Sequence, residues 1–405
     1  MDTDIKTNKH KAVEKQIIPR NRDCEDRRIS YFIISYYFVQ VLNLTTKMIF
    51  PIPKDLYPRI SISFGIILVL FFAFTILTVL RRSLVFFTCS EILVISLFAI
   101  SYLMDNAELS LLLDNAVWAI LICVPLGVYA YSIKHKEVFY NMFLKSSFAM
   151  TIMLAFVFLF PPKDSYYSMS FSYALLVPTI FHLNEWLESR KKMYLIVSLI
   201  EIAGLTIYGS RGALISLSFF FMLKFILSEK NLIEKIGTIL MTSFAIIIFY
   251  LNFDEIGTFL LQCLADKGYY SRSLTLLFSN RITYDSGRFE IFKYYLDLAA
   301  QKPLLGWGVL GGWVKKGSGP HNMIIEIILA FGIIIGGIIS FILCLLQLRV
   351  FFVKDKSTRD LLVIYMSICI VLFFVSGNFL QKPDFFIFLG LVLGSFKNRE
   401  NYIKE

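Results

Sequence analysis

Charged residues are scarce in this sequence. Asp, Glu, Lys and Arg make up 17% of the 405 residues, whereas a soluble domain has about 25%. The 6 cysteines are scattered and form no CxxC pair, which argues against a zinc site and a disulfide framework. Carboxylates spaced like a glycosidase pair or a divalent-cation site are also absent. These absences argue against a soluble enzyme and predict no metal and no cofactor.

Long apolar runs fill most of the sequence instead. Hydrophobic residues reach 57%, Phe alone occurs 40 times, and the mean hydropathy is +0.67. A membrane-spanning helix needs about 20 apolar residues, and twelve runs meet or approach that length. They lie near residues 31–50, 60–80, 84–104, 112–132, 140–160, 166–184, 193–209, 211–227, 236–252, 321–348, 361–378 and 384–396. The sequence therefore predicts an all-α integral membrane protein with about 12 transmembrane helices.

The basic residues predict the orientation of these helices. With the N-terminus in the cytoplasm, 26 of the 40 Lys and Arg residues fall on the inner side, as the positive-inside rule expects. The net charge of +10 then reflects membrane orientation, and nucleic acid is not an expected partner. The predicted organisation is a cytoplasmic basic tail (1–28), helices 1–9 (29–252), a long external loop (253–320), helices 10–12 (321–396) and a cytoplasmic tail (397–405).

The long external loop is where we expect the chemistry, because long loops within compact domains are usually functional. Within it, Phe289, Phe292, Leu296 and Ala299 recur at helical spacing. This pattern predicts an interfacial or re-entrant helix in the loop.

His321 is the one histidine that this topology places outside. It stands in GSGPHNMIIEI, where Asn322 and Glu326 follow on one face of the next helix. One interpretation is an N-terminal cap cluster at the membrane surface. The other is a general base, since neutral imidazole is the usual proton acceptor near neutral pH.

Two arginines are candidates for binding an anion on the same side. Arg211 stands at the boundary of two apolar runs, where a charge is costly and often functional, although a snorkelling arginine is an equal alternative. Arg288 opens the helical stretch of the loop, and Glu290 follows it. Paired guanidinium groups could bind a diphosphate through bidentate hydrogen bonds. Arg272 and Arg281 could bind in the same way, but an ordinary solvated loop charge is the default for each of them.

The segment from Gly306 to Gly311 matches the dinucleotide pattern GxGxxG, but it lacks the βαβ context that pattern needs. A bent interfacial segment with Trp307 and Trp313 near the lipid headgroups explains it better. The spacings Gly332/Gly336 and Gly390/Gly394 predict close helix packing.

Three segments together resemble the O-antigen ligase and O-antigen polymerase family of membrane glycosyltransferases. They are YGSRGALISL (208–217), SGRFEIFKYYLDLAAQKPLLGWG (286–308) and GPHNMIIEIILAFGIIIGG (319–337), and their order around a long external loop also looks like that family. The resemblance covers about the C-terminal half of the chain.

The resemblance implies transfer of a glycan from an undecaprenyl diphosphate carrier to a sugar hydroxyl, at the outer face of a bacterial cytoplasmic membrane. It assigns His321 as the base and Arg211 and Arg288 as diphosphate ligands, with Asn322, Glu326 and Glu290 in supporting roles. The expected partners are lipid-linked oligosaccharide, membrane lipid and a protein that regulates chain length. The histidine segment looks more like the polymerases than the ligases, which tend to carry a second histidine where Ser318 and Gly319 stand. A ligase that transfers polymer to lipid A-core stays an alternative.

A secondary transporter or flippase is a further alternative of a different class. Transporters usually show two matching halves, and a long loop after the ninth predicted helix breaks such symmetry.

Overall fold

The computed structural model describes residues 20–50, 52–104, 108–159, 168–208, 211–228, 231, 234–237, 253–266, 271–278, 288–316, 319–375 and 378–402. Within these ranges the chain is helical and contains no strand. Its helices are α1 (Arg20–Ile49), α2 (Tyr57–Leu103), α3 (Leu109–Trp118), α4 (Val124–Ser132), α5 (Lys136–Leu159), α6 (Met169–Ser189), α7 (Lys192–Tyr208), α8 (Arg211–Leu227), α9 (Phe253–Asp266), α10 (Arg272–Phe278), α11 (Arg288–Gln301), α12 (Gly311–Lys316), α13 (Met323–Gln347), α14 (Lys356–Val375) and α15 (Pro383–Tyr402).

The length of the apolar helices indicates the class of protein. Four described segments are long and apolar enough to cross a membrane: Tyr57–Leu103, Leu109–Ser132, Lys136–Val157 and Met323–Phe351. This confirms the all-helical class and indicates a helical membrane protein. The predicted helix over 236–252 lies almost entirely outside the described residues.

Two predicted spans, near 60–80 and 84–104, are joined in the structure as the single element α2. Its 47 residues would extend about 70 Å as one straight helix, more than twice the hydrocarbon thickness. Ser83 interrupts it with non-helical backbone angles, φ −149° and ψ 35°. Two helices that meet at Ser83 therefore correspond to the two predicted runs.

Helix α1 begins at Arg20, inside the segment predicted as a polar tail over 1–28. The cause is a buried ion pair that sequence patterns do not show. Asp26 is fully buried and pairs with Arg82, and its carboxylate also accepts hydrogen bonds from the backbone N–H groups of Lys134 and His135. A buried carboxylate needs such partners, so tertiary contacts stabilise the helix around Asp26.

Polar side chains connect the helix ends on two sides of the bundle. On the first side the hydrogen bonds join Arg82 with Glu25 and Ser132, Lys136 with Ala130, Tyr140 with Glu185, and Lys224 with Glu188 and Asp360. On the second side they join Lys47 with Ser61, Val309 with Ser101, Asn378 with Asn115, and Ser168 with Tyr208.

Helix α13 is broken at Gly332, which has φ +81° and ψ 168°. The break frees the carbonyls of Leu329 and Ala330, which accept hydrogen bonds from the N–H groups of Trp307 (2.8 Å) and Gly308 (3.0 Å). The two halves of α13 then lie so close that a Cβ at Gly336 would come within 2.6 Å of Ile328. The Gly332/Gly336 spacing thus marks a break in one helix, contrary to the prediction of simple packing between helices.

The segment before α12 is buried by this contact. Trp307 is 9% exposed and donates its indole N–H to the carbonyl of Leu298. The Trp307 ring is therefore packed inside the protein, and its predicted position near the lipid headgroups stays a prediction. The Gly390/Gly394 prediction is confirmed, because a Cβ at Gly390 would come within 2.0 Å of the Gly127 carbonyl oxygen on α4.

Candidate active site

His321 has an unusual backbone conformation at the start of α13. Its φ of +53° lies in the left-handed region, which residues other than glycine seldom adopt and which is frequent at functional sites. The side chain is exposed. A strained backbone that presents an accessible imidazole suits a group that must meet a substrate.

The neighbours of His321 explain how the chain enters α13. A Cβ at Gly319 would lie 2.6 Å from the Trp313 ring, so glycine is required for this close approach. Asn322 caps the helix, and its side-chain oxygen accepts the N–H of Ile325 at 3.1 Å. The capping interpretation is therefore confirmed for Asn322, while the His321 side chain is left outside the cap.

Two cations act on the His321 imidazole. Partial burial lowers its pKa below the usual 6.5, and the positive charges of Arg288 and Lys382 lower it further. The lowered pKa keeps the ring neutral at pH 7, which is the form that accepts a proton. The structure thus brings together His321 and Arg288, two of the residues predicted from the sequence.

Glu326 lies buried one turn into α13, with 4% of its surface exposed. One carboxylate oxygen accepts the backbone N–H of Phe379 at 2.9 Å. The Trp313 indole lies near this carboxylate but does not form a hydrogen bond with it. Trp313 Nε1 and the second carboxylate oxygen of Glu326 have no hydrogen-bond partner among the described residues. Glu326 therefore holds the 378–382 segment against α13, a supporting role.

Lys382 and Asp384 belong to the site and were not among the predicted site residues. Lys382 lies within electrostatic range of Asp384 and Glu326, and burial lowers its own pKa. The Asp384 carboxylate accepts the phenolic O–H of Tyr37 from α1. The Tyr37–Asp384 contact joins residues more than 300 positions apart, and no local pattern in the sequence indicates it.

Arg211 and Glu290 are placed at helix starts. Arg211 is the first residue of α8 and follows closely on Tyr208, whose carbonyl accepts the backbone N–H of Ser168. Glu290 is exposed in the first turn of α11. On α11 the buried residues are Tyr295, Leu298 and Ala299, whereas Phe289 and Leu296 are exposed. Among the four residues of the predicted apolar face, Ala299 is therefore the one that is fully buried.

The described residues contain no group of three or more His, Cys, Asp or Glu side chains that could hold a metal ion. Neither a protein-family model, nor a curated protein, nor a solved structure matches the chain.

Proposed function

We propose that this protein is a polymerase of polysaccharide repeat units, of the kind that builds O-antigen or capsule. It transfers a glycan from an undecaprenyl diphosphate carrier to a sugar hydroxyl of the next lipid-linked repeat unit. The observation that carries the proposal is the exposed His321 imidazole on a left-handed backbone at the start of α13, within electrostatic range of Arg288 and Lys382. This arrangement provides a base for an alcohol and positive charge for an anionic leaving group.

In the proposed reaction, His321 removes the proton of the acceptor hydroxyl. The acceptor oxygen then forms a bond to the anomeric carbon while the bond from that carbon to the diphosphate oxygen breaks. The electron pair of the broken bond leaves with the lipid diphosphate, and His321 returns the proton to solvent. Attack opposite the leaving group inverts the anomeric configuration.

Arg211 and Arg288 bind the diphosphate in this proposal and take the place of a metal ion. A guanidinium group binds phosphate oxygens through two parallel hydrogen bonds, which an ammonium group cannot do. Arg288 stands close enough to His321 to shift its pKa, which favours a diphosphate position next to the base. Asn322, Glu326 and Glu290 support the fold of the site.

The proposal places the site at the outer face of a bacterial cytoplasmic membrane, with about 12 spans and both termini in the cytoplasm. It is supported by the excess of Lys and Arg in the segments assigned to the inner side. It is also supported by the Phe379–Glu326 and Asn378–Asn115 hydrogen bonds, because they join the start of α13 to segments assigned to the outer side. A protein that regulates chain length is the proposed partner.

A transporter is the second candidate, and a buried pair favours it. His182 Nδ1 lies 2.9 Å from a Glu201 carboxylate oxygen, both side chains are fully buried, and Thr151 donates to the same carboxylate. Ionisable groups inside a bundle are often proton or substrate sites. A ligase shares the chemistry proposed above and differs in its acceptor.

The test is the surface polysaccharide of the native host on a gel after deletion of the gene and complementation with variants. His321→Gln keeps a polar ring-sized side chain but cannot accept the proton, so we expect single repeat units and no polymer. Arg288→Lys and Arg211→Lys should reduce chain growth about 100-fold, because a few kcal/mol of transition-state binding is lost. Arg59→Lys, at an exposed site on α2, is the matched control.

Each outcome of the gel selects one function. Normal polymer from His321→Gln at equal expression would refute the polymerase proposal. Lipid-linked polymer that is never attached to lipid A-core would identify a ligase. Repeat units that accumulate on the cytoplasmic face would identify a transporter.

A further inference from the structure

A cavity of about 340 Å³ opens between α1, α5, α6 and α15. Its lining includes Tyr36, Tyr37, Gln40, Asn43, Tyr173 and Asp384. Asp384 connects the cavity to the candidate active site through the short segment that precedes it. Phe379 in this segment donates its backbone N–H to Glu326, near the start of α13, at 2.9 Å. The segment between Phe379 and Asp384 therefore runs from the helix end that carries His321 to the cavity.

The chemistry of the lining fits a sugar ring. Three tyrosines provide aromatic faces for the C–H groups of a pyranose, and their hydroxyls are polar ends. Two primary amides and a carboxylate can donate to and accept from ring hydroxyls. Such a mixture of aromatic surface and a few placed polar groups is usual for small-ligand sites, whose volumes are roughly 300–1,000 Å³.

Asn43 gives a second, independent indication of a ligand. Its side-chain oxygen is buried and has no hydrogen-bond partner among the described residues. A buried acceptor without a donor costs about 1–3 kcal/mol, and most such groups in native structures have a partner. A ligand hydroxyl in the cavity would supply the missing donor.

Other parts of a lipid-linked substrate fit the cavity less well. A polyprenyl tail would bury Asp384, Gln40 and Asn43 against hydrocarbon, at a high desolvation cost. A diphosphate carries at least two negative charges, whereas Lys47 is the one cation among the described lining residues. Asp384 would in addition repel an anion.

We propose that this cavity binds a sugar residue of the acceptor glycan and holds its hydroxyl toward His321. The inference rests on the proposed function, since it names the acceptor subsite of that reaction. Lys382, which directly precedes α15, and Asp384 in the cavity lining lie two residues apart, so a saccharide in the cavity would be close to a residue that acts on His321. The cavity would then determine which repeat unit the enzyme extends.

The probe is the lipid-free repeat-unit oligosaccharide of the native host, titrated by calorimetry into purified His321→Gln protein in nanodiscs. Asn43→Leu, introduced in that background, removes the buried unpaired acceptor at similar volume, so the fold should be retained. We expect this variant to bind the oligosaccharide at least 10-fold more weakly. Asn141→Leu, at an exposed position on α5, is the matched control and should bind as the parent does.

Equal binding by the Asn43→Leu and parent proteins, or no binding by the parent, would overturn the cavity assignment. Polymer on the gel distinguishes this failure from failure of the proposed function. If His321→Gln abolishes polymer while Asn43→Leu alone yields normal chains, the polymerase proposal stands and the subsite does not. If His321→Gln yields normal chains, the function itself is refuted.

Discussion

At the scale of single residues, the environment of His321 determines when it can act as a base. Its pKa is lowered below 6.5 by burial first, and then by Arg288 and Lys382. A lowered pKa favours the neutral ring. The proton-accepting form of His321 therefore predominates above this pKa and is lost when the pH falls below it. The acid side of the pH profile should therefore fall below pH 6.5.

Removing one of these cations should shift the acid side of the pH–activity profile to higher pH. Lys382→Gln removes a positive charge near the ring, so the pKa of His321 should rise and activity should decline at a higher pH than in the parent. The measurement is the pH dependence of initial polymerisation rate by purified enzyme. Lys293→Gln, exposed on the same helix as Arg288, should leave the profile unchanged. If the acid side of the profile is the same in Lys382→Gln and in the parent, His321 is not the titrating base.

The buried His182–Glu201 pair makes a second prediction at this scale. Glu201→Leu leaves the imidazole buried without its carboxylate and should lower stability by about 3 kcal/mol. The double variant His182→Leu with Glu201→Leu should recover most of this loss, because it replaces the pair by apolar side chains. Thermal unfolding in detergent measures both. Full chain growth by the double variant would show that the pair is structural, whereas loss of function in a stable double variant would support a transporter.

At the scale of elements, the sequence predicts helices better than the contacts between them. The run at 211–227 coincides with α8, and the run at 321–348 contains α13. Hydrophobic length suffices for these elements, since lipid requires helices of a set length. The break at Gly332 was not predicted, because it depends on carbonyls that bind a segment from another part of the chain.

In the candidate site too, local patterns in the sequence predict some residues and miss others. His321, Asn322 and Arg288 could be selected from local patterns, such as a histidine before a helix and an arginine at the start of another. Lys382 could not, since its role arises from charges that face it across the bundle. Charges that come together only on folding produce no periodic pattern in the sequence, so such a pattern cannot reveal them.

Gly332→Ala tests the broken helix. The angles φ +81° and ψ 168° are nearly restricted to glycine, and a Cβ there would lie 2.5 Å from the Pro303 carbonyl oxygen. We expect a loss of at least about 2 kcal/mol in stability, together with detachment of the segment around Trp307. The matched control is Gly337→Ala, where a Cβ meets nothing within 4 Å and helix propensity should improve. Equal thermal stability of the two variants would show that the break is not required.

At the scale of the whole molecule, the polar contacts define two sides but not which of them faces the cytoplasm. The distribution of Lys and Arg predicts one orientation, with 26 of 40 in segments assigned to the inner side. Lys224 joins such segments by pairing with Glu188 and Asp360.

Cysteine labelling in intact cells tests this orientation. In a variant whose own cysteines are replaced, single cysteines at Lys134 and Lys354 should react with a membrane-impermeant maleimide only after the membrane is permeabilised. Cysteines at Lys293 and Gln301 on α11 should react without permeabilisation, because they are exposed on the side that carries His321. Labelling of Lys293 and Gln301 only after permeabilisation would place His321 in the cytoplasm. That result would refute the external active site, since the lipid-linked glycan is polymerised at the outer face in the proposed reaction.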